Sequence, residues 1–140
     1  MKYMVWNNKG GVGKTFLTYL LASKYAKKHP DTEVVVDDLC PQANVSEMML
    51  GGNGKGEINL EKLWQNGTTI AGYIKTRYEK SPNGKLGAEL GYFIKVQDYN
   101  AAMPPNLFLL SGDTDLDICS AIINFLGQAP QKGAWARSRR

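Results

Sequence analysis

Long apolar runs, histidines and cysteines are all scarce in this chain, and each shortage removes a class of protein. No stretch approaches the roughly 18 consecutive apolar residues that a membrane helix needs. No charged-then-apolar leader is visible either, so neither a membrane span nor a secretion signal is expected. The two cysteines, Cys40 and Cys119, stand far apart, with neither metal-ligand spacing nor a disulfide framework. A reducing cytoplasm is therefore the expected compartment. The single histidine, His29, closes a helical pattern and has no nucleophile or acid beside it in sequence, so it reads as a helix-end residue rather than a catalytic base. Internal repeats and low-complexity segments are also missing.

What remains is an ordinary globular composition with a lopsided charge. At 140 residues and 43% hydrophobic content the chain suits one domain with a real core. Cations and anions balance over residues 1–131, so the net charge of +4 comes from Lys132, Arg137, Arg139 and Arg140. Residues 1–127 are read as the folded part and 128–140 as a basic tail, the start of an interrupted helix. Such a tail can bind phosphate backbones non-specifically, or simply be a solvated end.

Between Asn8 and Thr15 the chain reads Asn-Lys-Gly-Gly-Val-Gly-Lys-Thr. A site for polyphosphate needs inward-pointing backbone N–H groups, a mobile cation and a hydroxyl able to ligate Mg²⁺, and these residues supply all three. Glycines allow a tight curl and close approach to the phosphates. Lys14 can reach the terminal phosphates and Thr15 Oγ the metal. The segment 3–6, Tyr-Met-Val-Trp, reads as a short apolar strand before the loop, and 15–28 as a helix after it. Phosphate would then sit at a helix N-terminus, where the dipole favours negative charge.

The helix places Phe16, Leu17, Leu20, Leu21 and Tyr25 on one stripe, crowds Lys24, Lys27 and Lys28 into its last turn, and is closed by Pro30. Residues 33–36 (Glu-Val-Val-Val) read as a buried strand, completing a βαβ unit with a right-handed crossover. Further helices are predicted at 44–50, 60–64, 69–79 and 113–126, with Thr68 capping the third of these and Asp113 the last. Strands are predicted at 92–96 and 107–110. The glycine-rich stretch 51–56 lacks a preceding strand and a Lys-Thr ending, so it reads as a mobile connector.

The loop departs from the ordinary phosphate loop, which has glycine where Asn8 stands and makes no demand for lysine at position 9. The run from Lys9 to Thr15 instead resembles the deviant Walker A loop of the ParA/MinD ATPases, in which the extra lysine is the signature. The segment from Asp38 to Asn44, Asp-Leu-Cys-Pro-Gln-Ala-Asn, is similar to the Asp-x-Asp-Pro-Gln-x-Asn stretch of the ParA branch. This resemblance implies an α/β fold, a P-loop NTPase-like three-layer sandwich with a mostly parallel sheet. It covers about the N-terminal half of a family domain, so the chain is expected to be truncated before the Walker B strand.

The resemblance further implies ATP and Mg²⁺ as cofactors. Nucleotide would contact Lys9, Gly10, Gly11, Val12, Gly13, Lys14, Thr15 and Phe16. The metal would be served by Thr15 and Asp38, and catalysis by Lys9, Lys14 and Asp38, with Lys9 reaching across an ATP-bound homodimer. Cys40 stands where the family has a second aspartate, and a neutral thiol is a poor base and a poor ligand for Mg²⁺. Binding with slow hydrolysis is the expectation. The implied role is plasmid or chromosome partition, with non-specific DNA and a centromere-binding protein as partners, in the cytoplasm or on the nucleoid. Two alternatives remain: a sibling deviant-Walker ATPase of cell-division placement or polysaccharide export, and a truncated, non-catalytic nucleotide- or DNA-binding module.

Overall fold

The computed structural model describes residues 2–5, 11–79 and 90–119. Its centre is a three-stranded sheet in the order β1-β3-β2, formed by β1 (Val34–Asp37), β2 (Ile94–Lys95) and β3 (Leu107–Leu110). β1 and β3 run parallel, pairing Val34 with Leu107 through Asp37 with Leu110. β2 runs antiparallel to β3, with Ile94 opposite Leu109. The sheet is thus mixed where a mostly parallel one was expected, because only the β1–β3 connection is a crossover among its described strands.

Side-chain alternation sorts the sheet into two faces. Val36, Leu107, Leu109 and Ile94 lie on the face that builds the main core, packed with Ala26, Ala43, Met49, Leu60 and Leu63. Helices α1 (Lys14–Lys28), α2 (Asn44–Met49) and α3 (Lys55–Gln65) supply that cover. On the other face Leu110 is buried with Ile70 and Leu116. Ile70 opens α4 (Ile70–Glu79), so helical residues lie on both faces, as a three-layer arrangement requires. That second layer is thin: Val35, next to Phe108 in register, remains 49% exposed.

α1 is fastened at its foot by one side chain. The Asn106 amide, just before β3, donates to the carbonyls of Ala26 at 3.1 Å, His29 at 2.9 Å and Thr32 at 2.7 Å. Carbonyls at a helix end have no intrahelical partner, and this amide answers them. α1 therefore descends one face while β1 climbs back, which puts the start of α1 and the carboxyl end of β1 at the same edge of the sheet.

The segment 3–6 departs from its reading as a strand. Residues 2–5 belong to no strand, with Tyr3 81% and Met4 85% exposed, and Trp6 lies outside the described residues. An extended segment holds together only through a ladder partner. No described strand pairs with this segment.

Smaller shifts have local causes. α3 begins at Lys55, five residues before its predicted start, because the glycine run folds into a hydrogen-bonded turn instead of a mobile connector. Gly51, Gly52 and Gly54 take φ of 129°, 70° and 76°. Gly52 N donates to Glu47 O at 3.0 Å and Gly56 N to Gly52 O at 2.7 Å. The cap of α4 moves from Thr68 to Thr69, whose hydroxyl accepts from Gly72 N at 3.2 Å and donates to Asp113 Oδ2 at 2.5 Å. The predicted strand 92–96 shrinks to the two residues of β2, bounded by 3₁₀ turns Leu90–Tyr92 and Val96–Asp98. The helix predicted from Asp113 begins three residues later: Asp113 Oδ1 accepts from Asp115 N at 2.9 Å in the turn ahead of it, and residues 116–119 are helical. The rest of that predicted helix, 120–126, and the tail 128–140 lie outside the described residues.

Candidate functional site

The glycine-rich loop delivers its second half into α1. Gly11 and Gly13 take φ of 70° and 80°, a left-handed conformation that disfavours any side chain. A Cβ on either would meet nothing within 4 Å, so backbone conformation and not space calls for glycine. Gly13 is the N-cap of α1, and its carbonyl accepts the first helical bond, from Leu17 N at 2.9 Å. No side chain caps this end and no acidic residue stands in its first turn. The N–H groups of Thr15 and Phe16 precede the first i−4 bond, and the first turn of this 15-residue helix carries no acidic residue of its own to offset its positive end. That is the arrangement an anion needs.

Of the expected contacts, Gly11, Val12, Gly13, Lys14, Thr15 and Phe16 are gathered in this turn. Lys14 and Thr15 are half-buried, while Val12 and Phe16 are exposed. Lys9 and Gly10 lie outside the described residues. Asp38 stands one residue past β1, on the α1 side of the sheet, and is only 4% exposed. Both its oxygens are engaged: Oδ1 accepts from Cys40 N at 3.2 Å, and Oδ2 from Ser46 N at 3.0 Å and Ser46 Oγ at 2.7 Å. Asp37 and Cys40 are exposed on either side of it.

Ser46 and Gly112 complete this corner, and sequence reasoning passed over both. Ser46 Oγ accepts from Gly112 N at 3.0 Å, and Gly112 O accepts from Trp64 Nε1 at 3.0 Å. A Cβ on Gly112 would stand 2.7 Å from Cys40 O and 2.9 Å from the Ala43 Cβ. The available signal was faint: a serine at the third helical position of α2, behind an Ala43 that cannot cap it.

No group of three or more His, Cys, Asp or Glu among the described residues could hold a metal. A Mg²⁺ ion does not need such a cage. It prefers one or two protein oxygens completed by phosphate and water, and the Thr15 hydroxyl beside an anion-ready helix end fits that habit. Among the described residues two groups depart from their ordinary titration, both away from the loop. The hydrogen bond to Asp115 raises Lys75, and burial raises the Cys119 thiol. At the amino-terminal edge of the strands an open hollow is lined by Pro30, Asp31, Glu33, Pro105, Asn106 and Phe108. Its two carboxylates would repel phosphate, so it is no rival for the same ligand.

Residues 3–129 match CbiA, the CobQ/CobB/MinD/ParA nucleotide binding domain. The chain belongs to this family. Comparison with curated proteins and with solved structures finds no match. The matched span contains the loop, α1 and the Asp38 corner. No described helix of this CbiA domain is long and apolar enough to cross a membrane.

Proposed function

We propose that the chain binds ATP with Mg²⁺ and works as a ParA-type ATPase that dimerises around nucleotide and acts in plasmid or chromosome segregation. The observation that carries this reading is the glycine turn at the uncapped head of α1, with Lys14 and Thr15 in its first turn. Peptide N–H groups there hold phosphate oxygens, Lys14 neutralises charge on the terminal phosphates, and Thr15 serves the metal. Bound Mg²⁺ supplies charge neutralisation to the phosphates. Lys9 supports the ParA/MinD side of the family and a dimer completed in trans, and the Pro41-Gln42 pair supports the partition branch. Non-specific DNA and a centromere-binding protein are the partners this implies, on the nucleoid.

Titration of the chain with ATP in Mg²⁺ tests the reading. Lys14→Ala should lose nucleotide binding, whereas Lys9→Ala should keep most of it and fail to dimerise, read by sedimentation. Equal ATP affinity in wild type and Lys14→Ala would end the proposal.

A further inference from the structure

The buried corner at the carboxyl edge of the sheet ties three elements to one hydroxyl. Asp38 follows β1 directly, and its N–H extends the ladder to Leu110 O at 3.0 Å. Its carboxylate accepts the third backbone N–H of α2, so the strand end caps a helix whose own N-cap residue, Ala43, has no side chain to do it. Ser46, 0% exposed, spends its proton on Asp38 and its lone pair on Gly112 N, the residue two past β3. Gly112 is pressed so closely on Cys40 and Ala43 that only glycine fits, and Ala43 is held at φ 51° beneath it. The turn between Asp38 and Ala43 is thereby clamped at both ends.

A Mg²⁺ ligand needs a carboxylate oxygen with lone pairs turned to the ion and its waters. Asp38 offers the opposite: a carboxylate shut from water, with three protein donors already on its two oxygens. Unpairing it would leave the Ser46 N–H and hydroxyl buried and unsatisfied, which costs more than a surface hydrogen bond returns. From these contacts we infer that Asp38 is a positioning residue of the nucleotide site, acting through Ser46 and not as a metal ligand. It sets the turn at residues 39–42 at the edge where α1 begins, and α2 passes the constraint on, since Ala43 and Met49 pack in the same core as Ala22 and Tyr19 of α1. The inference rests on the nucleotide reading of that edge.

The test combines melts with ATP titrations, with and without Mg²⁺, on wild type, Asp38→Asn, Ser46→Ala, Ser46→Thr and the Asp38→Asn/Ser46→Ala double variant. Asp38→Asn and Ser46→Ala should each lower Tm by roughly 5–15 °C. The double variant should melt no lower than the worse single one, because both remove the same contact. Each should weaken ATP by about tenfold, equally with and without Mg²⁺, and Ser46→Thr, which keeps the hydroxyl, should recover most of that loss. Three results would overturn the inference. One is loss of the Mg²⁺ enhancement in Asp38→Asn alone, which makes Asp38 a ligand. Another is additive Tm losses. The third is a lowered Tm in Ser46→Ala with ATP affinity intact, which leaves a purely structural clamp. Wild type that binds no ATP removes the nucleotide reading and the site role together, a pattern separate from all three.

Discussion

Asn106 sets one amide against three carbonyl oxygens at the foot of α1. Asn106→Ala should cost about 2 kcal/mol in a denaturant melt, since the half-buried carbonyls of Ala26 and His29 both lose this donor. Asn106→Asp, nearly the same shape but an acceptor itself, should recover none of that loss. Cys40 poses a chemical question at the same scale. It is exposed at the turn where the ParA pattern has aspartate, and sulfur is a poor stand-in for a carboxylate oxygen beside a hard cation. Restoring the carboxylate in Cys40→Asp should raise ATP turnover by about tenfold or more if general-base or water-orienting help is what the chain lacks. A rate at or below wild type would show that hydrolysis draws on another group.

Among the elements, the α2–α3 hairpin depends on one absent side chain. A Cβ at Gly56 would overlap the Glu47 carbonyl, so the helices meet only because α3 carries glycine there. Alanine would gain about 1 kcal/mol of helix propensity. The overlap should cost more, about 1–3 kcal/mol, because backbone and not a flexible tip must move. Gly56→Ala should therefore lower Tm despite its better propensity. This hairpin also marks the limit of what the sequence discloses. α1, β1 and β3 were legible because each carries its own signal: 3.6-residue periodicity and Pro30, the valine run, and the apolar run after Pro104-Pro105. The start of α3 was not, since it follows from how Gly52 and Gly56 meet the Glu47 carbonyl of α2. Residues 3–6 read as a strand on composition alone, yet strand formation is decided by an edge elsewhere in the chain. In the site, the loop announced itself through spacing. Ser46 and Gly112 join Asp38 only in three dimensions, and the one local hint, a serine in the first turn of α2, says nothing of either partner.

At the scale of the molecule, one flank of the sheet carries no further strand among the described residues. The outer edge of β1 meets no described strand, and Val35 is exposed beside it. Leu17, Leu21 and Tyr25, spaced at single helical turns along α1, are exposed as well. Open edges and contiguous apolar surface invite self-association. Light scattering at rising concentration should show it, and Val35→Lys with Leu21→Glu should suppress it without lowering Tm, since neither side chain is part of the core. A flank of that kind changes what a melting point means. If neighbours shelter it, unfolding must first pull them apart, and the midpoint climbs with every dilution reversed. Folding and assembly would then be a single equilibrium, and the amount of protein in the tube one of its variables.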